Sequence, residues 1–208
     1  GNVVEKHFGI NPAKIFPVHN GIEPVEVFHV EKSFPEKLVL FLGRITGQKG
    51  PEIFLDIASN DGTLLSGYNN KDDKHTLIGI DPLISNFDDY YPSKVIKIED
   101  FFSPAAYIKN SAHKVDIVTS VSVFYDLDDP IGFASGIFEI LSENGIWHLE
   151  QSYCVSMIKQ TSFDTICHEH LLYLRAHDFK NIFNKVGFTV ISVELNEING
   201  GSISLSVE

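Results

Sequence analysis

An α/β fold built on a mostly parallel sheet is predicted by three observations. From Phe54 onward, apolar and β-branched runs alternate with candidate helices. The run Phe54-Leu-Asp-Ile-Ala-Ser-Asn-Asp-Gly-Thr-Leu-Leu65 breaks an apolar strand into a small-residue turn, and a helix follows. A second strand, Leu77-Ile-Gly-Ile, ends in Asp81, about twenty residues beyond Gly62. Small residues let the backbone approach a ligand, and free N–H groups at a helix start face it. An acid at the next strand tip takes both hydroxyls of a ribose. The pattern therefore predicts a seat for a nucleotide-containing cofactor.

Each element has its own warrant. Strands are expected at 54–58, 76–81, 94–98, 115–121 and 144–151, with helices at 61–68, 104–111 and 130–142 and a short turn near 85–90. Val115-Asp-Ile-Val-Thr-Ser-Val121 is β-branched and apolar, as a strand buried on both faces should be. The helix from Pro130 opens with Asp128-Asp129-Pro130, where carboxylates favour the positive helix end and proline suits the first turn. Glu143-Asn144-Gly145 is expected to cap its C-terminus. A loop is expected over 152–177, then a helix at 178–186 ending on Gly187, a strand at 188–194, a turn at Asn199-Gly-Gly201 and a last strand at 202–207.

Residues 1–53 read differently. Ile15–His19 and Leu38–Leu42 look like strands, and Pro12, Pro17, Pro24 and Pro35 interrupt what lies between them. Gly43-Arg44 through Gly47-Gln-Lys-Gly50 is a glycine-rich basic turn. The 208 residues are enough for one domain with an appendage. A net charge of −12 with no basic stripe argues against a nucleic-acid partner. No apolar run reaches the length of a membrane span, and no signal peptide is visible. Cys154 and Cys167 lack metal-ligand spacing, so reduced thiols in a cytoplasmic protein are expected.

Five segments carry a family likeness: Leu55-Asp-Ile-Ala-Ser-Asn-Asp-Gly-Thr-Leu-Leu65, Ser122-Val-Phe-Tyr-Asp-Leu-Asp-Asp-Pro130, Glu150-Gln-Ser-Tyr153, Ser162-Phe-Asp-Thr-Ile-Cys-His-Glu-His170 and Leu195-Asn-Glu-Ile-Asn-Gly-Gly-Ser202. In this order they resemble S-adenosylmethionine-dependent C-methyltransferases of the nucleotide-sugar type. The resemblance implies a Rossmann-like class I methyltransferase sheet over 54–208 with helices on both faces. It also implies S-adenosyl-L-methionine as cofactor and a nucleotide-linked keto sugar as small-molecule substrate. The family continues past the Asn-Gly-Gly-Ser segment, so the domain is expected to be truncated at its C-terminus. Lys14-Ile-Phe-Pro-Val-His-Asn-Gly-Ile22 with Phe41-Leu-Gly-Arg-Ile-Thr-Gly-Gln-Lys-Gly-Pro51 resembles instead the family 4 type (GT-B) retaining glycosyltransferases. There Arg44 and Lys49 would hold a donor diphosphate. The expected organisation is a mosaic joined near residue 54. A cofactor-binding but catalytically incomplete module and a glycosyltransferase fragment stand as alternatives to an active enzyme.

The site residues follow. Ala58, Asn60 and Gly62 occupy the three turn positions where class I methyltransferases often show glycines. The resemblance places Asp56 beneath the methionine amino group, Asp81 on the ribose and Asp100 near the adenine amine. C-methylation beside a ketone needs a base, and imidazole, with an ordinary pKa near 6.5, suits that task. The resemblance implies His170 as base and Glu169 as the carboxylate that orients it, with Tyr125 lining the same cleft. Adjacent Cys167, His168, Glu169 and His170 cannot all point at one ion, so no metal is expected. A histidine-rich surface loop is the plain alternative.

Overall fold

The computed structural model describes residues 51–68 and 75–208. The first strand, β1 (Ile53–Ile57), is buried at Phe54, Leu55, Asp56 and Ile57, so it packs on both faces. It sits at the middle of the sheet, with Leu55 opposite both Ile78 and Val118. The strand expected at 54–58 is therefore present as an interior strand of the sheet.

The chain continues through α1 (Thr63–Ser66), β2 (Thr76–Ile80), a 3-10 turn (Ile84–Tyr90), β3 (Ile96–Ile98), α2 (Pro104–Asn110) and β4 (Val115–Val121). A 3-10 turn (Phe124–Asp126), α3 (Pro130–Ile140), β5 (Leu141–Ser152) and α4 (Cys154–Gln160) follow. A further 3-10 turn (Phe163–Thr165), α5 (Ala176–Val186), β6 (Val190–Asn196), a turn at Ile198–Gly200 and β7 (Ser202–Val207) complete it. The seven strands lie in the order β3-β2-β1-β4-β5-β7-β6. The first five are parallel, and β7 runs antiparallel to both β5 and β6. Strand order reverses between β1 and β4, which is where open α/β sheets hold ligands.

Two apolar clusters cover the two faces. One gathers Phe54, Leu77 and Ile117 from the strands with Leu65 of α1, Ile84, Tyr91 and Val95. The other gathers Leu55, Val118, Trp147 and Leu149 with Ile137 of α3 and Phe179 and Phe183 of α5. Its centre is aromatic: Trp147 lies 5.7 Å from Phe124, 5.3 Å from Phe183 and 5.6 Å from Phe188, ring to ring. The indole N–H, which must find a partner when buried, donates to Ser120 Oγ at 2.9 Å.

Three expectations change. The first helix is shorter than 61–68, because Gly62 takes a left-handed φ of 73° and helical geometry begins only at Thr63. The helix from Pro130 stops at Ile140, and Glu143-Asn144-Gly145 opens β5 instead of capping it. There Val115 faces Leu141 but Ile117 faces Ile146, so the intervening residues bulge out. A Cβ on Gly145 would meet Leu141 Cδ2 at 2.6 Å and the Val115 carbonyl at 2.9 Å, so close approach of chain to chain requires the glycine. Finally, the expected loop at 152–177 contains the helix α4. The strands expected at Ile15–His19 and Leu38–Leu42 lie outside the described residues, as do Arg44 and Lys49.

Candidate active site

The turn after β1 is built from left-handed residues. Ala58 has φ 58°, Asn60 φ 48° and Gly62 φ 73°. Ala58 and Asn60 thus hold, with side chains, a left-handed conformation that favours glycine, and Gly62 holds it as glycine. Alternating left-handed residues turn the backbone N–H groups of a loop towards one side, which suits an anionic or polar ligand. Asp81 fixes the turn from the tip of β2. Its carboxylate accepts the Asn60 N–H at 3.2 Å and the Leu83 N–H at 2.7 Å. A carboxylate has about four acceptor sites, so about two remain for a ligand's hydroxyls.

Asp56 lies one strand away and is buried. Thr119 Oγ1 donates to it at 2.7 Å. Burial pushes its carboxyl up to about 7, the Thr119 bond opposes that, and the Asp81 charge adds to it. Asp100 stands past the end of β3 and accepts the Phe101 N–H at 2.8 Å. The two tips are joined, since the Asp81 and Asp100 N–H groups both donate to the Ile98 carbonyl, at 3.1 and 3.0 Å.

Tyr91 holds this corner together, and nothing in the sequence spacing singled it out. Its hydroxyl donates to the Asn60 carbonyl at 2.8 Å and accepts from Ser59 Oγ at 2.7 Å. Its ring fills the space beside two glycines: a Cβ on Gly62 would stand 2.9 Å from it, and one on Gly79 3.1 Å. Leu83 and Phe101, 53% and 76% exposed, were also not singled out; they place apolar surface next to Asp81 and Asp100.

The second half of the site lies past β4. Ser122 ends that strand in a left-handed conformation with φ 56°, and its N–H donates to the Glu150 carbonyl at 2.8 Å. The 3-10 turn Phe124–Asp126 then meets the histidine loop. The Tyr125 carbonyl accepts the N–H groups of Leu171 and Leu172 at 2.8 and 2.9 Å. The rings of Tyr125 and His170 lie 4.1 Å apart at 37°. Burial raises the Tyr125 phenol, a hydrogen bond with Ser122 lowers it, and Asp126 and Cys167 raise it further. The phenol therefore keeps its proton at neutral pH.

His170 Nδ1 stands 2.8 Å from the Thr165 carbonyl, which can only accept. The proton is therefore on Nδ1, and in the neutral ring the free lone pair is on Nε2. His168 and Glu169 are exposed. Thr165, not Glu169, meets the Nδ1 edge of His170. Among the described residues, no group of three or more His, Cys, Asp or Glu could hold a metal ion, and no helix is long and apolar enough to cross a membrane.

A family model described as a methyltransferase domain matches residues 28–193. C-methyltransferase NovU of Streptomyces niveus is 33% identical over 69 residues, a stretch that covers 33% of this chain and 16% of that protein. The chain thus matches a small part of that relative's length. Among solved structures, the plantazolicin methyltransferase BpumL in complex with SAH is 16% identical, covers 78% of each chain and gives a TM-score of 0.58. BamL, in complex with a triazolic desmethylPZN analog and SAH, is 15% identical over 76% of this chain and 77% of that one, with a TM-score of 0.60. The LepI complex with SAM is 10% identical over 80% of this chain and 45% of that one, also at 0.60. Those identities speak to the fold, which is the seven-stranded Rossmann-like sheet described above. The sequence match covers most of the chain and includes the turn after β1, the tips of β2 and β3 and the Tyr125–His170 contact: this chain belongs to the methyltransferase domain family.

Proposed function

We propose that the domain binds S-adenosyl-L-methionine at the turn after β1 and transfers its methyl group to an acceptor carbon, with His170 as base. The carrying observation is the left-handed triple Ala58, Asn60 and Gly62, tied to an Asp81 carboxylate that keeps acceptor capacity. These residues fit a ribose diol at Asp81, and Asp56 fits a methionine ammonium. Leu83 and Phe101 offer apolar surface to an adenine whose amine faces Asp100. The cofactor supplies an electrophilic methyl on a sulfonium.

The chain's own residues supply the rest. His170 Nε2 takes the proton from the carbon beside the acceptor's carbonyl. Thr165 keeps Nδ1 protonated, so the lone pair stays on the outer nitrogen. The Tyr125 ring holds the face of the imidazole, and its protonated phenol is a donor suited to the enolate oxygen. The enolate carbon so formed would be the nucleophile for the methyl that the bound cofactor would supply, with the carbon–sulfur pair left on its sulfur.

The finer acceptor assignment, a keto nucleotide sugar, is supported by the five-segment resemblance and the short match to NovU. The mosaic reading of residues 1–53 rests on the two glycosyltransferase-like motifs alone; the methyltransferase family match begins inside that segment, at residue 28. Limited proteolysis that leaves no stable fragment starting near residue 54 would count against it.

Titration calorimetry and product mass test the main reading. Asp81→Ala removes charge-assisted bonds of about 1.5–3 kcal/mol, so cofactor affinity should fall roughly tenfold to a hundredfold. His170→Ala should lower methyl transfer to a keto-sugar nucleotide by about 10²–10⁴-fold with cofactor affinity intact, and His168→Ala should lower it far less. Equal losses in the two histidine variants, or unchanged affinity in Asp81→Ala, would refute these assignments.

A further inference from the structure

We propose that Thr119 is a positioning residue for the cofactor seat: its hydroxyl holds one oxygen of the Asp56 carboxyl in either protonation state, so an ammonium group that arrives at the other oxygen displaces a proton to solvent. The inference rests on the reading of the turn after β1 as the S-adenosylmethionine seat.

The placement comes from the sheet. Asp56 of β1 and Thr119 of β4 are paired in register, and both are buried. Thr119 Oγ1 stands 2.7 Å from Asp56 Oδ1 and 3.4 Å from the Leu55 carbonyl oxygen. Among the described residues, no other group hydrogen-bonds the Asp56 carboxyl. A hydroxyl carries one proton and two lone pairs, and it rotates to suit its partners, whereas a carbonyl only accepts. Two arrangements therefore fit the same atoms. When Asp56 is neutral, its Oδ1–H donates to Thr119, and Thr119 donates to Leu55. When Asp56 is ionised, the Thr119 hydroxyl turns and donates to Oδ1. Both arrangements leave Oδ2 for a ligand.

The charges around Asp56 favour a cationic ligand. Facing it are Asp81 from the tip of β2, and Tyr68 and Tyr91, whose phenols are raised first by burial, with the Asp56 charge adding to it. His148 of β5 is paired in register with Thr119 on the far side of β4. Its ring nitrogens lie 3.0 Å from Ser206 Oγ and 3.3 Å from Ser204 Oγ, and burial pushes it below its usual range. None of these groups is a cation at neutral pH. Burial raises the Asp56 carboxyl to about 7, and the Thr119 bond is the influence that pulls it back. The proton that an ammonium must displace is thus present at neutral pH, and its loss is eased by a hydroxyl that donates to the charge left behind. The O–H bond of the acid breaks, its electron pair stays on Asp56, and the proton passes to water.

The experiment is titration calorimetry of S-adenosylmethionine into the full chain in buffers of different ionisation enthalpy, which counts the protons released on binding. The parent is compared at pH 7 with Thr119→Val, Thr119→Ala and Thr119→Ser. A group that titrates near pH 7 is about half protonated there, so the parent should release about half a proton. Without the hydroxyl the midpoint should rise by about one unit, so Thr119→Val and Thr119→Ala should release about nine-tenths of a proton and bind about fivefold more weakly. Thr119→Ser should match the parent. The cofactor's own amine, with an ordinary pKa of about 8, adds the same small uptake to every variant. A merely structural role would weaken binding without changing the count. Unchanged counts in Thr119→Val and Thr119→Ala overturn the proposal, as does a parent that binds with no proton released. A parent that binds no S-adenosylmethionine fails the reading of the seat itself, and is told apart from binding with an unchanged count.

Discussion

Asp56 concentrates the electrostatic cost of the proposed cofactor seat. Its carboxyl ionises near 3.8 in the unfolded chain and near 7 in the fold, chiefly because burial penalises the charge. As pH rises past 4 the unfolded chain sheds a proton that the fold still holds, so ionisation favours unfolding. The penalty grows until about pH 7 and is constant above it; a shift of about three units corresponds to about 4 kcal/mol at full size. Asp56→Asn should therefore gain stability over the parent as pH goes from 4 to 8. At about 2–4 °C per kcal/mol for a chain of this size, thermal unfolding resolves the trend. A gap that stays flat with pH would show that the acid is not held neutral. The same variant should weaken cofactor binding, because an ammonium ligand needs the carboxylate. Tyr91→Phe tests the other corner: losing both hydroxyl bonds should cost about 1–3 kcal/mol and loosen the turn that Asn60 and Gly62 form. Asp56, Asp81 and the turn were legible in the sequence because chemistry and spacing lie within one short segment. Tyr91 was not, because its partner Ser59 is 32 residues away and only the closed sheet brings them together.

At the scale of elements, the sequence was legible where one local rule decides. Strand β4 reads as a buried strand because its apolar β-branched run admits no other packing, and α3 starts where Asp129 and Pro130 place it. It failed where two rules compete. Glu143-Asn144-Gly145 carries the composition of a helix C-cap, but Leu141 already pairs with Val115, so the triplet becomes a bulge. Gly145→Ala would drive a Cβ into the Val115 carbonyl and Leu141, which should cost about 1–3 kcal/mol in urea unfolding; a variant as stable as the parent would mean the bulge relaxes freely. Helix α4 escaped notice because Cys154–Gln160 is short, lies among loop signals and buries only Met157. It nonetheless matters to the site, since the Ser162 N–H donates to the Met157 carbonyl at 3.0 Å and so ties the start of the histidine loop to a helix.

Across the whole molecule, the proposed binding and the proposed chemistry fall to different segments. The tips of β1, β2 and β3 hold Asp56, Asp81 and Asp100, whereas His170, the proposed base, lies in the loop between α4 and α5 with its ring against Tyr125 of the turn after β4. A ligand seated on three strand tips joins elements that are far apart in the chain, so it should stabilise the domain as a unit. At a hundred times its dissociation constant, S-adenosylmethionine should add about 2.7 kcal/mol, or about 5–11 °C in melting temperature for a chain of this size. Asp81→Ala, with a tenfold to hundredfold lower affinity, should lose about half or more of that shift at the same concentration. His170→Ala should keep all of it, because the proposed seat lies on the three strand tips. A shift lost in both variants would mean that the loop closes over the cofactor and that the two halves of the site form together. A shift kept in both would remove Asp81 from the ribose position and leave the turn after β1 as the seat's main contact.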